Sequence, residues 1–185
     1  MSEPTSSTPD LWTIIERVER ASAGELEAAC KAFKAELEAL DDAALIAVVA
    51  QFDAAMWRAY DHDLWGAACA IHGGTSDDHF WDFRTGLIAL GRETFERSLR
   101  DPDSLCEIED VVNRTLYEGF QYVPDEVLKA RGVDPGDVRG PGDHRSAKAG
   151  ESRPEPTGTP WTEEDLAKRY PRIVARFGGW GRPRS

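Results

Sequence analysis

The chain has 185 residues, 41% of them hydrophobic and 9% aromatic, enough apolar material for one domain with its own core and too much for a wholly disordered polymer. Its formal net charge of −12 is unevenly placed: residues 1–132 hold 26 Asp and Glu against 12 Lys and Arg, whereas residues 133–185 hold 8 against 10. Such an excess of carboxylates argues against direct contact with nucleic-acid phosphates, which needs clustered cations, and no run approaches the ~18 apolar residues of a membrane span.

Residues 1–8 are too polar to pack and read as a flexible lead-in, without the basic and apolar regions of a secretory signal. Thr8-Pro9 offers a cap and a first-turn proline for a helix from about Pro9 to Ala21, with Leu11, Ile14, Ile15 and Val18 on one stripe. Leu26, Ala29, Cys30, Phe33, Leu37 and Leu40 recur at helical spacing and mark a second helix. Asp41-Asp42 caps a third, which carries Leu45, Val48, Val49, Phe52, Met56 and Tyr60. The short connection suggests that the second and third helices form an antiparallel hairpin.

A fourth helix follows Asp61-His62-Asp63 with a small-residue face, Gly66, Ala67, Ala68 and Ala70, and ends at His72-Gly73-Gly74, because glycine takes the left-handed conformation at a helix end. Ser76 caps a fifth, with Asp77 and Asp78 at the positive end of its dipole. Phe80, Phe83, Leu87 and Leu90 form its apolar face, and Gly91 stops it. Arg92 to Leu99 is a short helix ended by Asp101-Pro102. The spacing of Leu105, Ile108, Val111, Val112, Leu116 and Phe120 predicts one further helix, and Val127 and Leu128 a last segment after Pro124. The composition of 133–158, rich in Gly, Pro, Asp and Arg, reads as a disordered linker. A C-terminal helical segment over 159–178, broken before Pro171, is expected to fold back on the acidic domain, and 179–185 is a tail. The fold class is therefore all-α, a single compact domain over 9–132 with a linker and a short C-terminal helical segment.

Chemistry-bearing residues concentrate between Tyr60 and Leu105. Asp61, His62, Asp63, Cys69, His72, Asp77, Asp78 and His79 are metal-ligand types without ligand spacing, so neither a metal nor a cofactor is expected. Arg84 lies among Phe80, Trp81, Phe83 and Leu87; buried there, it calls for a carboxylate partner from Asp77, Asp78, Asp61 or Asp63. The sharper alternative is that Arg84 and His79 bind an anionic ligand in a cleft, with Trp65 and Trp81 as its aromatic walls. Tryptophans at such spacing more often fill a helical core. No nucleophile elbow and no phosphate loop is present. Three widely spaced cysteines, Cys30, Cys69 and Cys106, fit a reducing cytoplasm.

The run Leu64-Trp-Gly-Ala-Ala-Cys-Ala-Ile-His-Gly-Gly-Thr-Ser-Asp-Asp-His-Phe-Trp-Asp-Phe-Arg84, with Leu87-Ile88, Gly91-Arg92 and Asp101-Pro-Asp-Ser-Leu105, resembles the domain of unknown function 4240 family, of the actinobacterial type. The resemblance extends less strictly from Trp12 to about Gly132, and the Trp161 to Gly178 segment also resembles the closing part of some members. It implies an α-helical domain with no established catalytic activity and points to Ser76, Asp77, Asp78, Phe80, Phe83 and Arg84 as defining residues. Gly86 stands where the family has a larger, often aromatic residue. The expectation is an acidic, cytoplasmic protein-interaction module whose Ser76, Asp77, Asp78, His79 and Arg84 form a polar corner, with a protein partner of basic surface and no nucleic acid or membrane. An enzyme or metabolite binder is the alternative.

Overall fold

The computed structural model describes residues 9–139 and 155–178; the lead-in expected over 1–8 with its Thr8 cap, the tail expected over 179–185, and most of the expected linker lie outside them. The chain is all-α. Among the described residues no strand forms, and an isolated bridge joins Asp61 to Thr157.

Helix α1 (Leu11–Ser22) buries Leu11, Ile14, Ile15 and Val18. Its start is held from a distance: the Leu11 amide donates to Gln51 Oε1, and Gln51 Nε2 donates to the Pro9 carbonyl, both at 2.9 Å. Those bonds supply partners that a helix end lacks internally. Helix α2 (Leu26–Glu38) buries Phe33 and Leu37, and α3 (Asp42–Arg58) starts where the Asp41 carboxylate accepts from the Ala44 amide. The expected α2–α3 hairpin is not the main packing. Backbone neighbours of α2 are α1 and helix α8 (Gly119–Ala130), where Phe33 stacks on Phe120 at 4.6 Å, and the link to α3 runs through side chains, Phe33 meeting Phe52 at 6.0 Å. Arg131 explains the wide turn: it donates to the Glu38 and Leu40 carbonyls and pairs with Asp42 at 2.7 Å, so the end of α8 wedges the connection.

Helix α4 (His62–His72) is buried on nearly every side from Leu64 to His72, Trp65 excepted, as an all-apolar helix must be. Gly73, at φ 71°, ends it. Helix α5 (Asp77–Ala89) crosses beside it, and α6 (Arg92–Arg100) follows Gly91. The single helix expected over 105–120 is three pieces: a 3-10 turn at Pro102–Glu107, the short α7 (Val111–Arg114) entered through Asp110 at φ 51°, and α8. Packing against α5 sets one break. A Cβ on Gly86 would lie 2.6 Å from Thr115 Cα and 2.7 Å from the Arg114 carbonyl oxygen, so the chain after α7 rests directly on the α5 backbone. Pro124, expected to begin a segment, sits inside α8, which gives up one backbone bond there.

The domain also runs past residue 132. Val133–Arg139, which composition assigns to the linker, includes helix α9 (Pro135–Val138), capped by Asp134, and ends on a buried arginine. Arg139 lies 3.7 Å from Asp53 of α3 and binds Asp125 of α8 through Nε and Nη2. Residues 155–178 return to the domain through a 3-10 turn (Glu163–Asp165), α10 (Leu166–Arg169) and α11 (Pro171–Phe177), the last two broken at Tyr170 as proline requires.

Candidate functional site

The turn between α4 and α5 positions the polar residues singled out from sequence. Ser76 Oγ accepts from the His79 amide at 3.3 Å and so starts α5. Asp77, Asp78 and His79 occupy the exposed first turn. Trp65 fastens the turn from below: its Nε1 donates to the Thr75 carbonyl, and its ring stacks on Phe80 at 4.8 Å. Trp65 is thereby a structural strut of the turn.

Arg84, two turns along α5, is 5% exposed. Its Nη1 donates to the Met56 carbonyl near the end of α3 at 2.8 Å, where the helix dipole is negative. Its guanidinium lies over Trp81 at 4.8 Å, Tyr60 at 4.7 Å and Phe80 at 5.1 Å. Three ring faces and a carbonyl make an electron-rich box for a planar cation. Asp61 and Asp63, two of the expected partners, have other tasks: Asp61 caps α4 by accepting from the Asp63 and Leu64 amides, and Asp63 pairs with Arg169 at 2.7 Å. Of the two residues of the anion-binding alternative, His79 is exposed and Arg84 is buried. Trp81, buried against Arg84, lines that interior box instead of an open pocket.

Sequence reading missed Asp82. Its carboxylate, 8% exposed, accepts from Gln121 Nε2 of α8. Burial, then the charges of Glu118 and Asp78, push the carboxyl up to about 6, with His79 acting in the opposite sense. Tyr122, exposed on α8, donates to Glu118 at 2.6 Å. The α5 start and the α8 start therefore share one negatively charged face. An aspartate inside Phe80-Trp81-Asp82-Phe83 was the available signal, because a carboxylate flanked by aromatic residues is rarely buried without a hydrogen-bond partner.

A second acidic face is already engaged. The bridge at Asp61 brings in residue 157, whose amide donates to the Tyr60 carbonyl while the His62 amide donates to the Thr157 carbonyl. Tyr170 Oη then donates to the Asp63 carbonyl, and Arg172 spreads over Asp101, Asp103 and Glu107 at 2.6–3.1 Å. Asp103 also accepts from the Arg172 and Ile173 amides, and Arg176 donates to the Cys106 and Ile108 carbonyls. Asp101 and then Asp103 raise the Arg172 guanidinium above its ordinary value. A hollow of about 400 Å³ opens beside this contact, between Asp63, Pro102, Asp103, Thr159 and Tyr170. Another of about 420 Å³, away from the motif, lies between Gly24, Glu27, Asp110 and Arg114.

Among the described residues no group of three or more His, Cys, Asp or Glu is disposed to hold a metal ion, and no helix is long and apolar enough to cross a membrane. Compared with known families, residues 7–129 match the model described as Protein of unknown function (DUF4240). Neither a curated protein nor a solved structure matches the chain.

Proposed function

The chain belongs to the DUF4240 family, whose description names no activity, and from that premise we propose that it is an acidic protein-interaction module that recognises arginine-bearing segments. One observation carries the reading: Arg169, Arg172 and Arg176 of the C-terminal segment are all received by carboxylates and carbonyls of the domain. An acidic surface that takes basic helices from its own chain has the chemistry to take them from others. The three cysteines are free, which supports a reducing, cytoplasmic setting. A small-anion or enzymatic reading built on His79 and Arg84 has less support, because the guanidinium is enclosed by Tyr60, Phe80 and Trp81.

Fluorescence anisotropy of a labelled arginine-rich amphipathic peptide titrated with the intact chain tests this. Binding is expected at low salt, weakening about tenfold by 0.3 M salt as exposed pairs are screened, while a peptide with glutamate in place of arginine stays unbound. Equal behaviour of the two peptides would sink the proposal.

A further inference from the structure

We infer that the groove between α4 and the 3-10 turn Pro102–Glu107 is a docking site for a short arginine-bearing segment of a partner protein, two helical turns joined at a Tyr-Pro step, and that residues 159–178 are its internal occupant. The inference rests on the interaction-module reading and names the surface. The family match ends at residue 129, so the segment filling the groove lies beyond the matched residues. It fills it as two short helices joined at a break: Leu166 in α10, Tyr170 at the non-helical joint and Ile173 in α11 are its three buried anchors, at 2%, 3% and 0% exposure.

The groove is shaped for those anchors. Gly66 of α4 leaves room for the tyrosine: a Cβ there would lie 2.6 Å from Tyr170 Oη. Polar contacts then fix direction and register. Asp103 receives the first amides of α11 together with Arg172 Nε, and Arg169 and Arg176 are held on Asp63 and on the Cys106 and Ile108 carbonyls. Helices α10 and α11 are too short to persist unaided, so their helical form depends on the groove. Two of the Arg172 ion pairs are at the rim, with the Arg172, Asp101 and Glu107 side chains 45%, 52% and 51% exposed, where solvent and salt compete for them, while Asp103, 10% exposed, anchors the third from inside. Apolar anchors in a glycine-floored groove with a largely exposed ionic rim make an exchangeable contact, open to any segment with the same anchors and the same break.

The test uses the full chain with a protease site introduced between Arg139 and Glu155, cleaved after folding, and a labelled peptide of residues 155–178. The cleaved protein is expected to stay folded by circular dichroism and to exchange its segment for the labelled peptide, about tenfold faster at 0.5 M than at 0.05 M salt. An unrelated peptide carrying only the Leu, Tyr-Pro and Ile anchors at the positions of Leu166, Tyr170-Pro171 and Ile173 with the three arginines should compete, whereas the peptide with Arg172→Glu should not. Asp103→Asn in the protein should weaken retention of the labelled peptide. Unfolding on cleavage, a segment that never exchanges, or failure of the unrelated peptide to compete would each overturn the inference. So would segment exchange between intact chains to give a dimer, which would make a second copy the occupant. If exchange fails while the intact chain still binds the arginine-rich peptide, the groove is wrong and the interaction reading stands; if both fail, both fall.

Discussion

Asp82 is the side chain with most to say about pH. Burial, reinforced by Glu118, pushes its carboxyl from the ordinary 3.8 up to about 6, so the folded state binds its proton more tightly than the unfolded chain. The stability this proton contributes is fully present below about pH 4 and is lost as pH rises through about 6, by about 1–3 kcal/mol for a shift of this size. Asp82→Asn keeps the oxygen that accepts from Gln121 and removes the charge. Thermal melts should therefore show the variant more stable than the parent at pH 7.5, the difference closing by pH 4; a constant difference would refute the assignment. Arg84 makes a different demand. Its planar cation fills a box of Tyr60, Phe80 and Trp81 under the Met56 carbonyl. Arg84→Ala should cost roughly 2–4 kcal/mol in denaturant unfolding, and Arg84→Lys should recover only part, because an ammonium cannot lie flat against several rings.

Between elements, the contact of α5 with the chain after α7 sets the strictest limit on side-chain size. In an exposed helix Gly→Ala gains about 1 kcal/mol, but at Gly86 the new methyl meets backbone at 2.6 Å. Gly86→Ala should thus destabilise by about 1–3 kcal/mol, read as a lower urea midpoint with unchanged slope. That same contact shows where sequence reading reaches its limit. Helices α1 to α6 were legible because caps and breakers bracket each apolar stripe, Asp41 before α3 and Gly73 after α4 among them. The region from Leu105 to Phe120 has an equally regular stripe, yet tertiary packing against Gly86 and the left-handed Asp110 divide it. Composition likewise misassigned Val133–Arg139: a segment of Gly, Pro and Asp carries one arginine whose burial depends on Asp53 and Asp125, residues distant in sequence. In the candidate site the Ser76 cap and the burial of Arg84 were readable, the second from its aromatic neighbours. A backbone carbonyl as the recipient of its hydrogen bond was not, since every residue has one.

For the molecule as a whole, net charge alone would suggest a uniformly repulsive surface, but the arrangement is one of mutual neutralisation across long sequence distances. Arg131 ties α8 to the turn after α2, Arg139 joins α3 to α8, and Arg172 collects three carboxylates around the 3-10 turn. Of these, the Arg139 side chain is only 1% exposed, so its loss takes a buried cation from beside Asp53 and Asp125, whose side chains are 6% and 16% exposed. Arg139→Ala should cost about 3–5 kcal/mol, measured by chemical unfolding. The feature has a practical sequel for anyone trimming the gene. A fragment stopped at the edge of the family match, residue 129, discards both Arg131 and Arg139 and should give poor near-ultraviolet dichroism and visible precipitation, whereas one carried ten residues further should yield dispersed, assignable nuclear-magnetic-resonance signals.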